Sequence, residues 1–575
     1  MLTFVVFDAD GIDARHFPPR RAYLHATDEL PLQADVHLKP GMVAAQHAGS
    51  HSKALVVQIS IATDGNAKGE GLGLLTLPTC LLPDRTQPYL LGIELARHRI
   101  MLFLNKLEDW QLSELPTTHP TMVRFESARQ TFTSALIAQR SGETLDGYSP
   151  EADRLAVKSL AEGVEAGEQL TLIQAERQLK ERATGQAYQA ESARYKKLTQ
   201  ESPVPGAPVV VAGSGNGAIL PGPAMIGCSI SPTQFTEGLQ RAAMTSLDFV
   251  TMPMRWQDME PKEGKYNFTN TDRWIEWAIR VAKLPVFAGP LVDFRAPCTP
   301  DWLYIWENDY ETLRDLVIEH IQSIVTRYRR TIQRWTVASG LNVNTNFKLP
   351  IEQVMDLTRV AAVLVKKLHP QAKIQVEIAQ PWGEYHATNR RSIPPLIYAE
   401  AMIQMGLPVD AIGLRLQMGH AQPGLSTRDL LSLSALLDRY SHFEKPLAVT
   451  AIGAPSAPIA PTPYQPREGS AAEDPYEPGF WRGEWTEQRQ ASWLTNALAI
   501  CASKPFVHSV AWQDLADPAP MMSPGGVMVT SPAPEMPFGG LVGANGQPKA
   551  ALHAIAALKQ AVKEGKAPAG FLRGE

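Results

Sequence analysis

From residue 224 onward the apolar positions alternate between short, nearly solid runs and longer stretches in which they recur every three or four residues. The short runs fall at 225–229, 248–252, 285–289, 333–338, 373–377, 410–414, 446–451 and 507–512, and runs of that length and character predict strands buried on both faces. In the fourth, Trp335, Val337 and Ala338 suit a barrel interior. The intervening stretches have helical period: Leu313, Leu316, Val317, Ile321, Ile324 and Val325 define one apolar face, and Val354, Leu357, Val360, Ala361 and Leu364 another. Eight strands alternating with helices over residues 224–575 predict an α/β fold, a (β/α)8 TIM barrel. A doubly wound open sheet is the alternative, but no glycine-rich phosphate-binding turn follows the first strand.

The N-terminal part has other periods. Over residues 1–112 the runs LTFVVFDA, RAYLHA, ADVHLK, ALVVQISIA, GLGLLTLPTCLL and YLLGIELARHRIMLFLN are punctuated by Gly, Pro, Asp and Asn. They predict a small β-sandwich, either carbohydrate-binding or a plain structural module. Over 113–200 the spacing turns helical, with Phe125, Ala128, Phe132, Ala135 and Leu136 on one face and Leu155, Leu160, Val164, Leu170 and Ile173 on another. Two long helices are expected, broken at 141–150, where Ser149 before Pro150 is a candidate N-cap. Such a hairpin either packs on its neighbours or forms a surface for self-assembly. The Pro- and Gly-rich residues 201–223 predict a linker carrying one short strand.

Composition narrows the picture. At 575 residues the chain exceeds one core, and two or three domains are expected. An apolar fraction of 44% and a net charge of −5 imply neither a nucleic acid nor a membrane as partner. Cys80, Cys228, Cys298 and Cys501 are scattered without metal-ligand spacing, so no disulfide framework, metal or cofactor is expected. The N-terminus carries Asp8 and Asp10 with no basic start before an apolar run, and no window approaches 18 apolar residues. Neither a secretory signal nor a membrane span is expected, and the cytoplasm is the default location.

Several motifs carry a resemblance. The run FVTMPMRWQDMEPKEGKYNFTNTDRWIEWA at 249–278 is similar to a strand and loop in which a Lys-Trp pair, here Arg255 and Trp256, precedes a Glu-Pro turn and an Asp-led helix. Residues 299–302, ending in Trp302, resemble a Pro-x-Trp step, and EHIQSIVTRYRRTIQRWTV at 319–337 resembles a His-Ile helix, an Arg-Tyr turn and a Trp-led strand. Residues 411–414 and 546–550 are similar to a sixth strand and a closing Lys-Pro-Ala helix. In this order the motifs make residues 224–565 resemble glycoside hydrolase family 10, the xylanase family.

That resemblance implies retaining hydrolysis of β-1,4-xylan, which uses two carboxyls about 5–5.5 Å apart, one as acid and base and one as nucleophile. It places the acid/base at the end of the fourth strand, in a Trp-x-Val-x-Asn-Glu motif; here the residues are Ser339 and Gly340. It places the nucleophile in a Thr-Glu pair on the seventh strand; here the pair is Thr450 and Ala451. No Asp or Glu occurs over 333–350 or 445–467, so a shifted register restores neither. Supporting positions differ too, with Thr251 and Met252 for Glu-Asn, Pro290 for one His and Gln417 for another.

Other acids stand near strand ends. Asp293, Glu377, Glu384 and Asp514 are candidates for a relocated catalytic pair; the alternative is that such acids, with Asp517, hold loops by hydrogen bonds. Metal ligation by His386, His420 and these acids has no supporting ligand spacing. Arg255, Trp256, Trp302, Trp382, Tyr385, Gln417 and Trp512, with Arg295 and Arg415, are candidate saccharide-binding residues, since aromatic faces beside planar polar groups grip sugar rings; simple packing is the alternative. The insertion at 453–490 predicts no regular element before about Trp485, with Trp481 and Trp485 covering the mouth or docking on another subunit. The Pro- and Met-rich loop at 518–540 is expected to stack on it. The expected protein is a pseudoenzyme that binds a poly- or oligosaccharide or builds a homo-oligomer; the alternative is an active glycoside hydrolase with relocated carboxylates.

Overall fold

The computed structural model describes residues 1–7, 22–39, 41–62, 71–141, 147–213, 215–422, 424–460, 477–518, 520–522, 528–530 and 536–572. Eight parallel strands close into a barrel: Met225–Ser229, Phe249–Met252, Val286–Ala288, Arg334–Ser339, Lys373–Ile378, Ala411–Gln417, Leu447–Gly453 and Val507–Trp512. The first pairs with the eighth, Cys228 opposite Trp512, which completes the ring. The third strand resumes at Val292–Asp293, where Asp293 lies opposite Ser339 of the fourth. Helices follow the strands, and Leu313, Val317, Ile321 and Ile324 of Tyr310–Tyr328 are buried as their spacing predicts.

One strand turns its faces the other way from the expectation. Trp335 is fully buried, but its Nε1 reaches His369 at the end of the helix Ile351–Leu368, so it packs toward the helical layer. Thr336 lines the cavity on the axis instead. Period-two alternation allows only one of these neighbours to face inward, and the bulky indole fits the wider space outside.

Among the described residues, the N-terminal part forms two sheets from eight strands: β1 Leu2–Val5, β2 Tyr23–His25, β3 Pro31–Leu32, β4 Asp35–Lys39, β5 Met42–Gln46, β6 Ala54–Ala62, β7 Gly71–Pro78 and β8 Tyr89–Leu90. One sheet has the order β4-β5-β1-β8; the other runs β7-β6-β2-β3 with a fifth strand beyond β7. Buried side chains of both, among them Phe4, Val43, Leu55 and Leu75, share one apolar cluster. Four helices follow, α1 Leu91–Asp109, α2 Pro120–Ser141, α3 Pro150–Ala183 and α4 Gln186–Thr199. Helix α1 replaces the last strand expected in this region. Leu91, Leu95, Arg99 and Phe103 fall four apart on its buried face. Apolar residues of the run are not confined to one face because α1 packs against both α3 and the sheet, which takes them on more than one side. The N-cap forms as expected, with Ser149 accepting from the Ala152 amide. The linker pairs two strands, Val209–Val210 with Ala218–Ile219, where one was expected.

The N-terminal part and the barrel meet in a seam of buried polar contacts. Arg99 donates to both oxygens of Asp429, at 3.0 and 2.8 Å, with the two side chains 1% and 0% exposed. Asp429 also caps the barrel helix Leu430–Ser441. Glu168 of α3 accepts from the Trp481 indole at 2.7 Å, from Arg482 at 2.7 Å and from the Leu430 amide at 3.2 Å. Arg182 donates to the carbonyls of Ala502 and Lys504.

The fifth strand beyond β7 is Phe480–Trp481, supplied by the insertion after the seventh barrel strand. This regular element was not expected before Trp485. Gly73 permits the pairing: its φ is 121° and a β-carbon there would lie 2.1 Å from the Phe480 carbonyl oxygen. Trp481 and Trp485 are buried within the chain, against Glu168 and the Gly479 carbonyl, so of the two expectations for them, covering the mouth or docking on another subunit, the second does not hold. Residues 461–476 of the insertion lie outside the described residues.

Removing one partner of a buried ion pair leaves the other charge uncompensated and costs about 3–5 kcal/mol. Arg99→Ala is therefore expected to lower the unfolding free energy by about that amount in urea. Wild-type protein should show one calorimetric transition for both parts; a separate early transition of the N-terminal part would contradict a tight seam.

Candidate functional site

In a barrel of this kind, loops at the carboxyl ends of the strands carry the chemistry. Here those ends converge on a charged cluster. Glu377, from the fifth strand, is buried and accepts a hydrogen bond from Ser339 Oγ at 2.5 Å and from Arg415 Nε at 2.9 Å. Arg415, from the sixth strand, also donates to Gln513 at 2.6 Å and to Gln417 at 3.4 Å. Arg295, after the third strand, holds both oxygens of Asp293 and donates to Ser339 at 3.3 Å. Burial by itself would raise the Glu377 carboxyl; the guanidinium groups of Arg415 and Arg295 and the hydroxyls of Ser339 and Thr450 outweigh it and hold the group below the ordinary glutamate value.

The end of the fourth strand is shaped around Arg295. Gly340 turns at φ 66°, and a β-carbon there would meet Arg295 Nε at 2.9 Å and Cδ at 3.0 Å. A side chain at this position thus needs a strained backbone and a displaced arginine. On the seventh strand Ala451 is buried opposite Arg415, with only a methyl group facing the cavity.

That cavity, about 40 Å3, lies on the barrel axis. Its lining includes Arg255, Glu377, Arg415 and Ala451, together with Ser229, Thr251, Thr336, Gln375, Ser509 and Gln513 from the strands. At roughly 10–15 Å3 per water-sized site, it holds only a few such positions.

The other predicted acids are spread around the rim. Glu384 accepts from the Gly424 amide at 2.9 Å, tying two loops. Asp514 is half-buried after the eighth strand, outside the cavity lining. Asp517 pairs with Lys549 at 2.6 Å and accepts from the Gly540 amide at 2.8 Å. His386 contacts Ser392, and no group of three possible metal-ligating side chains occurs among the described residues.

The predicted aromatic residues occupy separate places. Trp256 is buried, stacked on His320 and bonded to Glu260 at 2.8 Å. Trp302 is half-buried and donates to the Glu260 carbonyl. Trp382 is buried beneath Arg428, Tyr385 is bonded to Asn342 and to the Ile393 carbonyl, and Trp512 donates to the Gly539 carbonyl. Of the residues expected to bind saccharide, Arg255 and Arg415 line the cavity. Sequence reasoning missed Gln375, Gln513, Thr336 and Ser509, although polar residues inside strands that usually carry bulky aliphatic side chains were a visible signal.

The model of glycosyl hydrolase family 10 matches residues 221–557. Endo-1,4-beta-xylanase A of Caldicellulosiruptor saccharolyticus is 23% identical over 172 residues, 28% of this chain and 48% of that protein. The chain thus spans about half the length of this curated relative. Among solved structures, native xylanase 10B from Thermotoga maritima aligns at 18% identity over 59% of this chain and 96% of that one, with a TM-score of 0.41. Xylanase 10B from Thermotoga petrophila RKU-1 in complex with xylobiose aligns at 18% identity, over 59% and 94%, with a TM-score of 0.40.

A group held below its unfolded-state value contributes stability that is present above that value and lost as pH falls through the folded one. Glu377→Gln is therefore expected to destabilise the protein by about 3–5 kcal/mol at pH 7, since it leaves Arg415 buried without its counter-charge. The gap should narrow on going from pH 7 to about pH 3, as pH falls below the unfolded-state value of about 4.3 toward the lower folded-state one. Urea titrations at the two pH values check both statements.

Proposed function

The chain belongs to glycosyl hydrolase family 10, and from that membership we propose that it is a xylanase-like barrel that binds a hydroxyl-rich ligand at its mouth and does not hydrolyse it. The observation that carries this is the Arg295 side chain lying where a side chain at position 340 would project, with Ala451 on the seventh strand. In the motif alignment these are the places of the acid/base and the nucleophile. A glycine has no proton to donate and an alanine has no atom to attack with, and each role is worth orders of magnitude in rate.

The acids nearby are poor replacements. A general acid needs a carboxyl protonated near neutral pH, and Glu377 is held ionised by its arginines. Asp293 has both oxygens on Arg295, and Glu384 is engaged by the Gly424 amide. The strand-borne hydroxyls and amides of the cavity support binding, because they offer donors and acceptors to a polyhydroxylated molecule without a group that cleaves it. Self-association is a second reading, favoured by Met101 and Leu104 of α1 and Val123 and Ile137 of α2, apolar side chains between 43% and 60% exposed.

Purified protein is expected to release no reducing sugar from xylan and no chromophore from aryl β-xylosides or β-glucosides above the buffer rate. Turnover that disappears in Glu377→Gln, in protein still folded by circular dichroism, would establish relocated carboxylates instead. Native mass spectrometry of the same sample tests self-association, with a mass near 63.1 kDa counting against it.

A further inference from the structure

Two histidines lie where the N-terminal part meets the segment that leads from strand six. His25 of β2 is 6% exposed. Its Nδ1 stands 3.0 Å from the Ala26 carbonyl, an acceptor, which puts the single proton of the neutral ring on that nitrogen. Its Nε2 is buried and meets no hydrogen-bond partner among the described residues. A second proton there would create a buried donor with nothing to receive it and a buried charge at once. His98 of α1 is half-buried and lies within electrostatic reach of His25.

The charges around the two rings are already balanced. From the N-terminal side come Glu29, in the short helical turn Thr27–Glu29, and Arg99 of α1. From the barrel come Arg428 and Asp429, Arg439 of the helix Leu430–Ser441, and Glu384, which faces Tyr23 of β2. Arg99 pairs with Asp429, Arg439 pairs with Glu29, and Arg428 donates to the Tyr23 hydroxyl. Three guanidinium groups thus stand against three carboxylates, and a proton on either imidazole leaves excess positive charge in a place shielded from water. Burial holds His25 below the ordinary imidazole value, and Arg439 and Arg428 add to this against the pull of Glu29 and the Ala26 carbonyl. Burial and then Arg99 hold His98 down in the same way.

The same contact grips residues 426–429. The Thr76 hydroxyl donates to Ser426 and the Thr76 amide to the Thr427 carbonyl, at 2.9 Å each, while Arg428 and Asp429 are held by Tyr23 and Arg99. We propose that His25 and His98 form an acid-sensitive latch: at neutral pH the N-terminal part holds residues 426–429 and the barrel, and protonation of the two rings releases them.

A ring held below its exposed value takes up its proton only on release, so each one favours release by up to about tenfold per pH unit below about 6.5, or about thirtyfold at pH 5. Glu29 and Asp429 are held below the ordinary carboxylate range and stay ionised at that pH. Asp153, pushed up to about 7 by burial beside Gly92, acts in the opposite sense, because acid favours its buried form. His320, His369, His386 and His508 are also held down, but they belong to the barrel, and their effect falls on its transition in wild type and variant alike.

Calorimetry of the full chain at about pH 7 and about pH 5 tests the latch, on wild type and on the double variant His25→Gln, His98→Gln. Wild type is expected to melt in one transition at the higher pH and in two at the lower, the N-terminal part first. The double variant is expected to melt in one transition at both. A single wild-type transition at the lower pH, or a split that persists in the double variant, would overturn the latch. Titration of the imidazole Hε1 signals of wild type decides the matter should the variant fail to fold. Two rings that stay neutral down to about pH 5 in the docked protein support the latch, and rings that titrate near their exposed value of about 6.5 without release overturn it.

Discussion

A carboxylate on the axis of a barrel is far from bulk water, and its charge has to be met by the protein or given up to a proton. Glu377 is met by Arg415 and, through Ser339, by Arg295, which in turn is oriented by Asp293. These groups come from strands three, four, five and six, so each is placed by the closure of the ring as a whole. Around this fixed charge pattern the rest of the mouth follows. Gly340 leaves room for Arg295, Ser339 supplies the bridging hydroxyl, and Gln513 and Gln417 accept from Nη1 of Arg415.

The same logic of buried charge joins the two halves of the chain. Arg99, Glu168 and Arg182 come from α1 and α3, and their partners lie on helices and loops of the barrel. Apolar packing between helices is non-directional and tolerates small slips. A two-pronged guanidinium–carboxylate contact between fully buried residues does not, because each oxygen has one best direction. The relative position of the N-terminal sheets and the barrel mouth is thereby set to within the tolerance of a hydrogen bond.

The barrel was legible because its signal is repeated. Eight apolar runs separated by helical periods agree with one another, and the structure places all eight strands within a few residues of those runs. Helix α1 was not, since an apolar run with partners on several sides loses the polar face that distinguishes helix from strand. The strand at Phe480–Trp481 was illegible for another reason: two residues acquire extended pairing only because β7 lies beside them, and nothing local records that. At the site, Glu377, Asp293, Arg255 and Arg415 could be named from their positions after strands. That Arg295 would lie against Gly340, or that Trp256 and Trp512 would be buried with their indole nitrogens engaged, depends on tertiary packing no periodicity encodes.

The fifth strand of the N-terminal sheet carries a consequence for how the molecule is made. During synthesis β7 emerges early, yet its outer edge stays open until about four hundred further residues have followed, because its partner is Phe480–Trp481. An open edge is a template for pairing with other chains. Throughout that interval the sheet is exposed to wrong partners, and the barrel that finally covers it must already have its seventh strand in place. A sheet that leaves the ribosome well ahead of the barrel is thus among the last parts to be finished, and a truncation that spares all of β1 to β8 would still leave the β7-β6-β2-β3 sheet one strand short.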